Sequence, residues 1–286
     1  MPDGWIGKNW ACFQGYQKSS GEILLFTDAD TIHKKDSLSS AVNTMIHDGI
    51  DALSLVPKLI CYDIITKCTL PVLSVFLHSR YSPLRVNNPK NKIGYFFGSF
   101  YVISKENYEK IGTHEKVRQE LVEDGALGRR VKEQKMKLKL VRGENYIEAS
   151  WARDPRSLWH GLRRIIIPLH KQQKKSAIMV TAFIFFILLE PFLILPFSFH
   201  YYGDNPLSLL LLIVNIVTIF LLLTCTVIQS HFGLLQKSIY GLGFPLGCTV
   251  ITLCFLVSAF DPKRNKVVKW RERSYYVGSK QHPFHL

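Results

Sequence analysis

The chain has 286 residues, 47% of them hydrophobic, and a formal net charge of +14. That length allows one substantial core, or one core plus a membrane region. So basic a chain invites nucleic acid as a partner, but no nucleic-acid motif is present, and much of the excess sits in two blocks that bracket an apolar region. Arg163, Arg164, Lys171, Lys174 and Lys175 precede it, and Lys263, Arg264, Lys266, Lys269, Arg271 and Arg273 follow it. Lys and Arg on both flanks of apolar spans are what a cytoplasmic membrane face carries, so the expected partner is a membrane and not nucleic acid. The six cysteines, at 12, 61, 68, 225, 248 and 254, form no CxxC and no paired metal spacing, which excludes a disulfide framework or a zinc site.

Taken in chain order, residues 9–19 have helical spacing, with Trp10, Ala11, Phe13 and Tyr16 on one face and Gly21 as the stop. Glu22 to Thr27 is a short apolar run between turn signals, expected as a buried parallel strand, with Asp28-Ala29-Asp30 at its end. A helix is expected over 36–47, a second strand over 51–59 and a helix over about 62–80. Tyr95 to Ile103 is aromatic and β-branched, hence a third strand, with Gly98 where a ligand or second backbone can approach closely. Helices near 104–111 and 120–135 follow, then an edge strand at 137–141 and a basic amphipathic helix over 157–175 suited to lie on a bilayer.

Three apolar stretches, near 177–197, 207–229 and 240–260, each approach the roughly 20 residues a helix needs to cross the hydrocarbon core. Basic residues on both flanks favour an even number of crossings. Glu190-Pro191 and Pro196 make the first stretch the weakest candidate, so two or three spans are expected.

The chemistry is expected at Asp28 and Asp30. Two carboxylates one residue apart at a strand end can both reach a divalent cation, Mg²⁺ or Mn²⁺, whose shell substrate phosphates complete. Alone, the pair is as readily an acidic turn before a helix. Its surroundings say more. Gly4-Trp5-Ile6-Gly7-Lys8-Asn9-Trp10-Ala11 comes before it, Phe96-Phe97-Gly98-Ser99-Phe100 after it, and then Leu121-Val122-Glu123-Asp124-Gly125-Ala126-Leu127-Gly128-Arg129-Arg130. In that order these motifs resemble a family 2 glycosyltransferase over roughly residues 4–164. The apolar spans followed by Trp270-Arg271-Glu272-Arg273-Ser274-Tyr275 resemble its hopanoid- and carotenoid-associated branch.

The resemblance implies an α/β fold: a partial GT-A, Rossmann-like nucleotide-sugar-binding domain over 1–156, the interfacial helix over 157–175, membrane helices over 176–260 and a basic tail over 261–286. It implies an inverting transfer from a nucleotide-diphosphate sugar to a membrane lipid acceptor on the cytoplasmic face of a multi-pass protein. Asp30, assisted by Asp28, would hold the metal, and Lys8 would help bind the nucleotide. Gly98 and Ser99 would floor the acceptor cleft, Asp124 would be the general base, and Glu123 would support it. Each has a plainer role beside it: a solvated lysine, strand packing, or acidic residues at a helix start. His33 and His160 are candidates for a further metal ligand, and surface histidines more simply.

Two departures matter. The Gln-x-x-Arg-Trp motif of processive members is absent from Ser157-Leu158-Trp159-His160-Gly161-Leu162-Arg163-Arg164, which favours transfer of one sugar over polymer synthesis. The family's opening strands, which precede the Gly-Lys segment, are also absent. The resemblance therefore implies an N-terminally truncated chain, a separate chain as one source of those strands, and weak or no transfer by this polypeptide alone. A non-catalytic membrane scaffold is the alternative from another class. A transporter is disfavoured because Glu190 is the one clear ionisable residue in the apolar spans.

Overall fold

The computed structural model describes residues 1–172, 174–201, 203, 205–260, 267–270 and 273–276. Most of the basic tail over 261–286 lies outside the described residues. The chain divides into two units, Met1–Ile60 with Phe76–Trp151, and Cys61–Val75 with Ala152–Leu286.

In the first unit, α1 (Gly7–Lys18) carries the expected aromatic face. Trp5, Trp10, Phe13 and Tyr16 make successive ring contacts, with centroids 5.1 to 6.0 Å apart. Then come β1 (Ile23–Phe26), β2 (Thr31–His33), α2 (Ser37–His47), β3 (Ala52–Val56) and β4 (Lys58–Cys61). After α3 (Ile64–Tyr81) and α4 (Pro83–Val86), the chain forms β5 (Tyr101–Ser104), α5 (Lys105–Lys110), α6 (Glu123–Glu133), β6 (Leu138–Arg142) and β7 (Ile147–Ala152). One sheet has the order β1-β5-β3-β6 and a smaller one the order β2-β7-β4. Ala41 and Met45 of α2 pack on Leu53, Leu55, Phe100, Val102 and Ile147, all buried, to make the core.

Three expectations are corrected. β1 is an edge strand running antiparallel to β5, not a buried parallel strand. Only Leu24 of its four residues is fully buried, so the apolar run marks partial burial and says nothing of the partner's direction. The stretch 51–59 is not one strand: it breaks at Pro57, which has no N–H for a ladder, and β3 and β4 join different sheets. The third strand starts at Tyr101 rather than Tyr95, and residues 95–100 are a loop closed by the Phe100 N–H donating to the Phe97 carbonyl at 3.0 Å.

That loop is shaped by glycines. A Cβ on Gly128 of α6 would lie 2.6 Å from the Tyr95 carbonyl carbon and 2.7 Å from the Phe96 nitrogen, and one on Gly125 would lie 2.9 Å from the Tyr95 ring. The helix backbone and the loop backbone touch, so the start of α6 is fixed against Gly98.

The second unit is helical apart from one hairpin. It comprises α7 (Pro155–Gln172), α8 (Lys174–Phe183), a π-helical stretch Ile184–Leu189, α9 (Glu190–Tyr201) and α10 (Pro206–Ile228). A second π-helical stretch, Gln229–Gly233, and a 3-10 turn, Ser238–Gly243, lead into α11 (Phe244–Phe260), and β8 (Val267–Trp270) pairs with β9 (Arg273–Tyr276). Pro191 does not stop the first apolar stretch. Its ring would crowd the carbonyl four residues back, which lies in the π-helical stretch, where the widened turn relieves the clash. Among the described residues, three helices are long and apolar enough to cross a membrane: Ala177–Tyr201, Pro206–Gly233 and Ser238–Ala259.

Replacing Gly128 by alanine therefore forces two backbones apart. It is expected to destabilise the first unit by about 1–3 kcal/mol, measured as a loss in thermal unfolding, whereas Gly15→Ala, with open space around it, is expected to leave stability unchanged or raised.

Candidate active site

Lys8 opens α1, Asp28 follows β1, and Glu123 and Asp124 open α6. These four side chains meet around Gly98. The Lys8 ammonium lies 2.6 Å from Asp28 Oδ1 and 2.7 Å from Glu123 Oε1. The Gly98 N–H donates to Asp124 Oδ2 at 2.9 Å. A Cβ on Gly98 would lie 2.7 Å from Asp124 Oδ2, 3.2 Å from Lys8 Nζ and 3.3 Å from Asp28 Oδ2, so glycine is what lets three charged groups close on one point.

Burial and charge divide the two adjacent carboxylates. Glu123 is only 4% exposed. Burial alone would raise its pKa, but the Lys8 charge and hydrogen bond outweigh that and hold it below the usual value. Asp124 is pushed up to about 7 by burial and then by the neighbouring Glu123 charge, with Lys8 pulling the other way. Burial would lower Lys8, yet the surrounding Glu123, Asp124 and Asp28 carboxylates raise it and keep it charged. The pair thus consists of one ionised carboxylate and one that exchanges a proton near neutrality, the arrangement a general base needs.

The remaining expected residues are placed less evenly. Ser99 is on the loop beside Gly98, 7% exposed, and its hydroxyl is buried without a hydrogen-bond partner. Asp30 lies in the exposed turn that the Thr31 N–H closes onto the Asp28 carbonyl at 3.1 Å, and it is not one of the three groups nearest Gly98. No set of three His, Cys, Asp or Glu side chains converges on a metal position among the described residues. Asp28 and Asp30 nonetheless offer oxygen donors at a strand end, chemistry that fits a hard divalent cation sharing its shell with phosphate. His33 accepts or donates at Thr27 Oγ1, 2.9 Å away, and packs on Phe100; His160 is exposed on α7.

Three supporting residues escaped the sequence reading. Asn9 is fully buried, and its amide donates to the Val117 and Glu120 carbonyls at 2.8 and 3.1 Å, tying α1 to the segment that leads into Glu123. Its signal was a second polar residue in the first turn of an aromatic helix. The Thr27 hydroxyl donates to the Ser99 carbonyl at 2.8 Å and ties the two site loops together. Fully buried His114 shares a hydrogen bond between Nδ1 and the Tyr108 hydroxyl, and donates its own backbone N–H to that oxygen at 2.9 Å. Burial drops its pKa to about 4, so it stays neutral beneath the charged residues.

The clustered carboxylates thus stand on a mixed α/β unit, in a chain whose described residues include three helices long and apolar enough to cross a membrane. The chain belongs to Glycosyl transferase family 21, whose sequence model matches residues 3–282. It is therefore a glycosyltransferase, and the family shown is family 21, where the motifs had pointed to family 2. No curated protein matches the chain. Among solved structures, a mannosyltransferase from Pyrobaculum calidifontis in complex with GDP-Man and Mn2+ is similar at 15% identity and a TM-score of 0.44, over 90% of this chain and 68% of that one.

Coupling between Lys8 and Glu123 is directly measurable. Lys8→Met is expected to cost somewhat less than the roughly 3–5 kcal/mol of breaking a fully buried pair, because the Lys8 side chain is a quarter exposed. In a double-mutant cycle with Glu123→Gln the two losses are expected to fall short of additivity by at least about 0.5 kcal/mol. Strict additivity contradicts the pairing.

Proposed function

We propose that the chain transfers a sugar from a nucleotide-diphosphate sugar to a hydroxyl of a membrane lipid, with inversion at the anomeric carbon. The observation that carries this is the position of Asp124: a half-buried carboxylate, pushed up to about 7, held by the Gly98 N–H within one small space with Asp28 and Lys8. Asp124 takes the proton of the acceptor hydroxyl as that oxygen forms its bond to the anomeric carbon. The bond from that carbon to the diphosphate breaks, and its electrons leave on the diphosphate oxygen. A single displacement inverts the centre.

Lys8 is the cation nearest the departing charge and stabilises it electrostatically. Glu123 is a positioning residue: its fixed negative charge adds to burial in raising Asp124 into the useful range. Gly98 and Ser99 floor the acceptor side, the orphan Ser99 hydroxyl being a donor the protein itself leaves unused. Asp28 and Asp30 would hold Mg²⁺ or Mn²⁺, which when bound neutralises diphosphate charge. Apolar helices long enough to cross a bilayer support a lipid acceptor, and the Lys/Arg blocks favour the cytoplasmic face.

Membranes carrying the full chain, given nucleotide sugar and lipid extract, test the reading. Asp124→Asn is expected to lower transfer by about 10²–10⁴-fold, as removal of a general base does. Retained transfer in this variant contradicts the assignment and leaves the scaffold alternative. In wild-type membranes kcat/KM is expected to rise with pH and level off above an inflection near 7, as Asp124 loses its proton. Lys8→Met removes the charge that favours the carboxylate form, so the inflection should move to higher pH. An inflection that stays put or falls contradicts the electrostatics.

A further inference from the structure

The second unit receives the chain twice, at Cys61 and at Ala152. Between these points the polypeptide returns to the first unit, which includes the strands β5 and β6. An open sheet and its loops do not thread a bilayer, so the chain arrives from the same side of it both times. On the first arrival it forms the front half of α3, started by Asp63, whose carboxylate accepts the Thr66 N–H at 2.9 Å and hydroxyl at 2.7 Å. On the second it forms α7.

α11 is docked onto both. At its start, Gly243 lies against the Cys68 side chain, and Gly247 lies against the Cys68 carbonyl and 3.0 Å, by its missing Cβ, from the Thr69 Cα. Towards its other end α11 packs along α7, with Cys254 within electrostatic reach of the Arg163 guanidinium. The turn before α11 joins the same contact: Gln229 Nε2 donates to Ser74 Oγ at 3.0 Å, Gln236 Nε2 to Cys61 Sγ at 3.4 Å, and Lys67 sits 5.1 Å over the Tyr240 ring.

The surroundings of α11 agree. Within the third apolar stretch 44% is buried in protein, against 17% and 11% for the first and second, so α11 has the fewest lipid-facing positions. The turn that precedes it exposes Phe232, Leu235, Ile239 and Leu242, and the front half of α3 exposes Ile64 and Val75, with Tyr62 just before it. An apolar rim of this kind belongs in lipid, not water.

We infer that α11 does not cross the bilayer: with the front half of α3 it forms a lipid-facing shelf within one leaflet, on the side of the first unit, and the chain crosses only twice. The first and second apolar stretches are the crossings, and the basic tail returns to the side where the first basic block lies, as Lys/Arg on both flanks require. This rests on the apolar helices residing in a membrane at all.

Single epitope tags at the N-terminus, at Gly203 and at the C-terminus of the full chain test the topology in sealed vesicles treated with external protease. N- and C-terminal tags are expected to be cut, or protected, together, with the Gly203 tag showing the opposite state. A C-terminal tag that behaves like the Gly203 tag means three crossings and overturns the inference. All three tags behaving alike overturns it too, because the first stretch then fails to cross. If the inserted tag impairs folding, the two terminal tags still decide between two and three crossings. A second measurement reports the shelf: emission added by Ile64→Trp, relative to wild type, should be quenched by phospholipids brominated high on the acyl chain more than by those brominated near its end. Quenching by aqueous acrylamide alone overturns it. Release of the chain by alkaline carbonate would refute membrane residence itself, a result distinct from either topology outcome.

Discussion

Three carboxylates crowd around Gly98, and what makes that arrangement tolerable is the Lys8 ammonium, 2.6 Å from Asp28 and 2.7 Å from Glu123. Like charges held so close in a poorly hydrated space repel strongly. One cation shared by two of them keeps Glu123 ionised, while burial, and then repulsion from Glu123, falls on Asp124. The same group that stabilises the site therefore sets the proton affinity of the carboxylate with the chemical task. Placing Lys8 at the first turn of α1 and Asn9 beside it, locked to the Val117 and Glu120 carbonyls, couples this balance to the packing of the unit.

Backbone contact is the second constraint. Gly125 and Gly128 let the 95–100 loop lie directly on α6, and Gly98 then presents its N–H to Asp124 with no side chain between the charged groups. A loop, not a strand, does this. Strand pleating would turn alternate residues away, whereas the turn closed at Phe100 leaves Gly98 and Ser99 side by side at the site.

The site was more legible than the sheet. Asp28, Glu123, Asp124, Gly98 and Lys8 stood out by order along the chain, and the structure brings them together. Asp30 stood out equally but lies exposed in the turn after β1, which the Thr31 N–H closes onto the Asp28 carbonyl, and it is not among the groups nearest Gly98. The strand directions were not legible: β1 offers four apolar residues, which announce partial burial but no partner. β7 was overlooked although Ile147 and Ala149 are buried on one face, because Glu148, Ser150 and Trp151 and the buried Ala152 break the alternation. His114 could not be found at all from sequence, as its meaning lies in Tyr108 and in burial, both products of tertiary packing.

Helix-length apolar stretches were plain in the sequence, but their environments were not; only contacts separate a helix exposed along most of its length, such as α10, from a more buried one such as α11. The central claim concerns the first unit, and protonation of Asp124 is its most direct test. Infrared difference spectra of the full chain in lipid, recorded as pH is raised, should show a carboxylic acid carbonyl band that disappears through about 7 and is missing from Asp124→Asn. If no carboxylic acid band persists above the ordinary carboxylate range, near pH 4, Asp124 is an unremarkable surface acid and the account of the site is wrong.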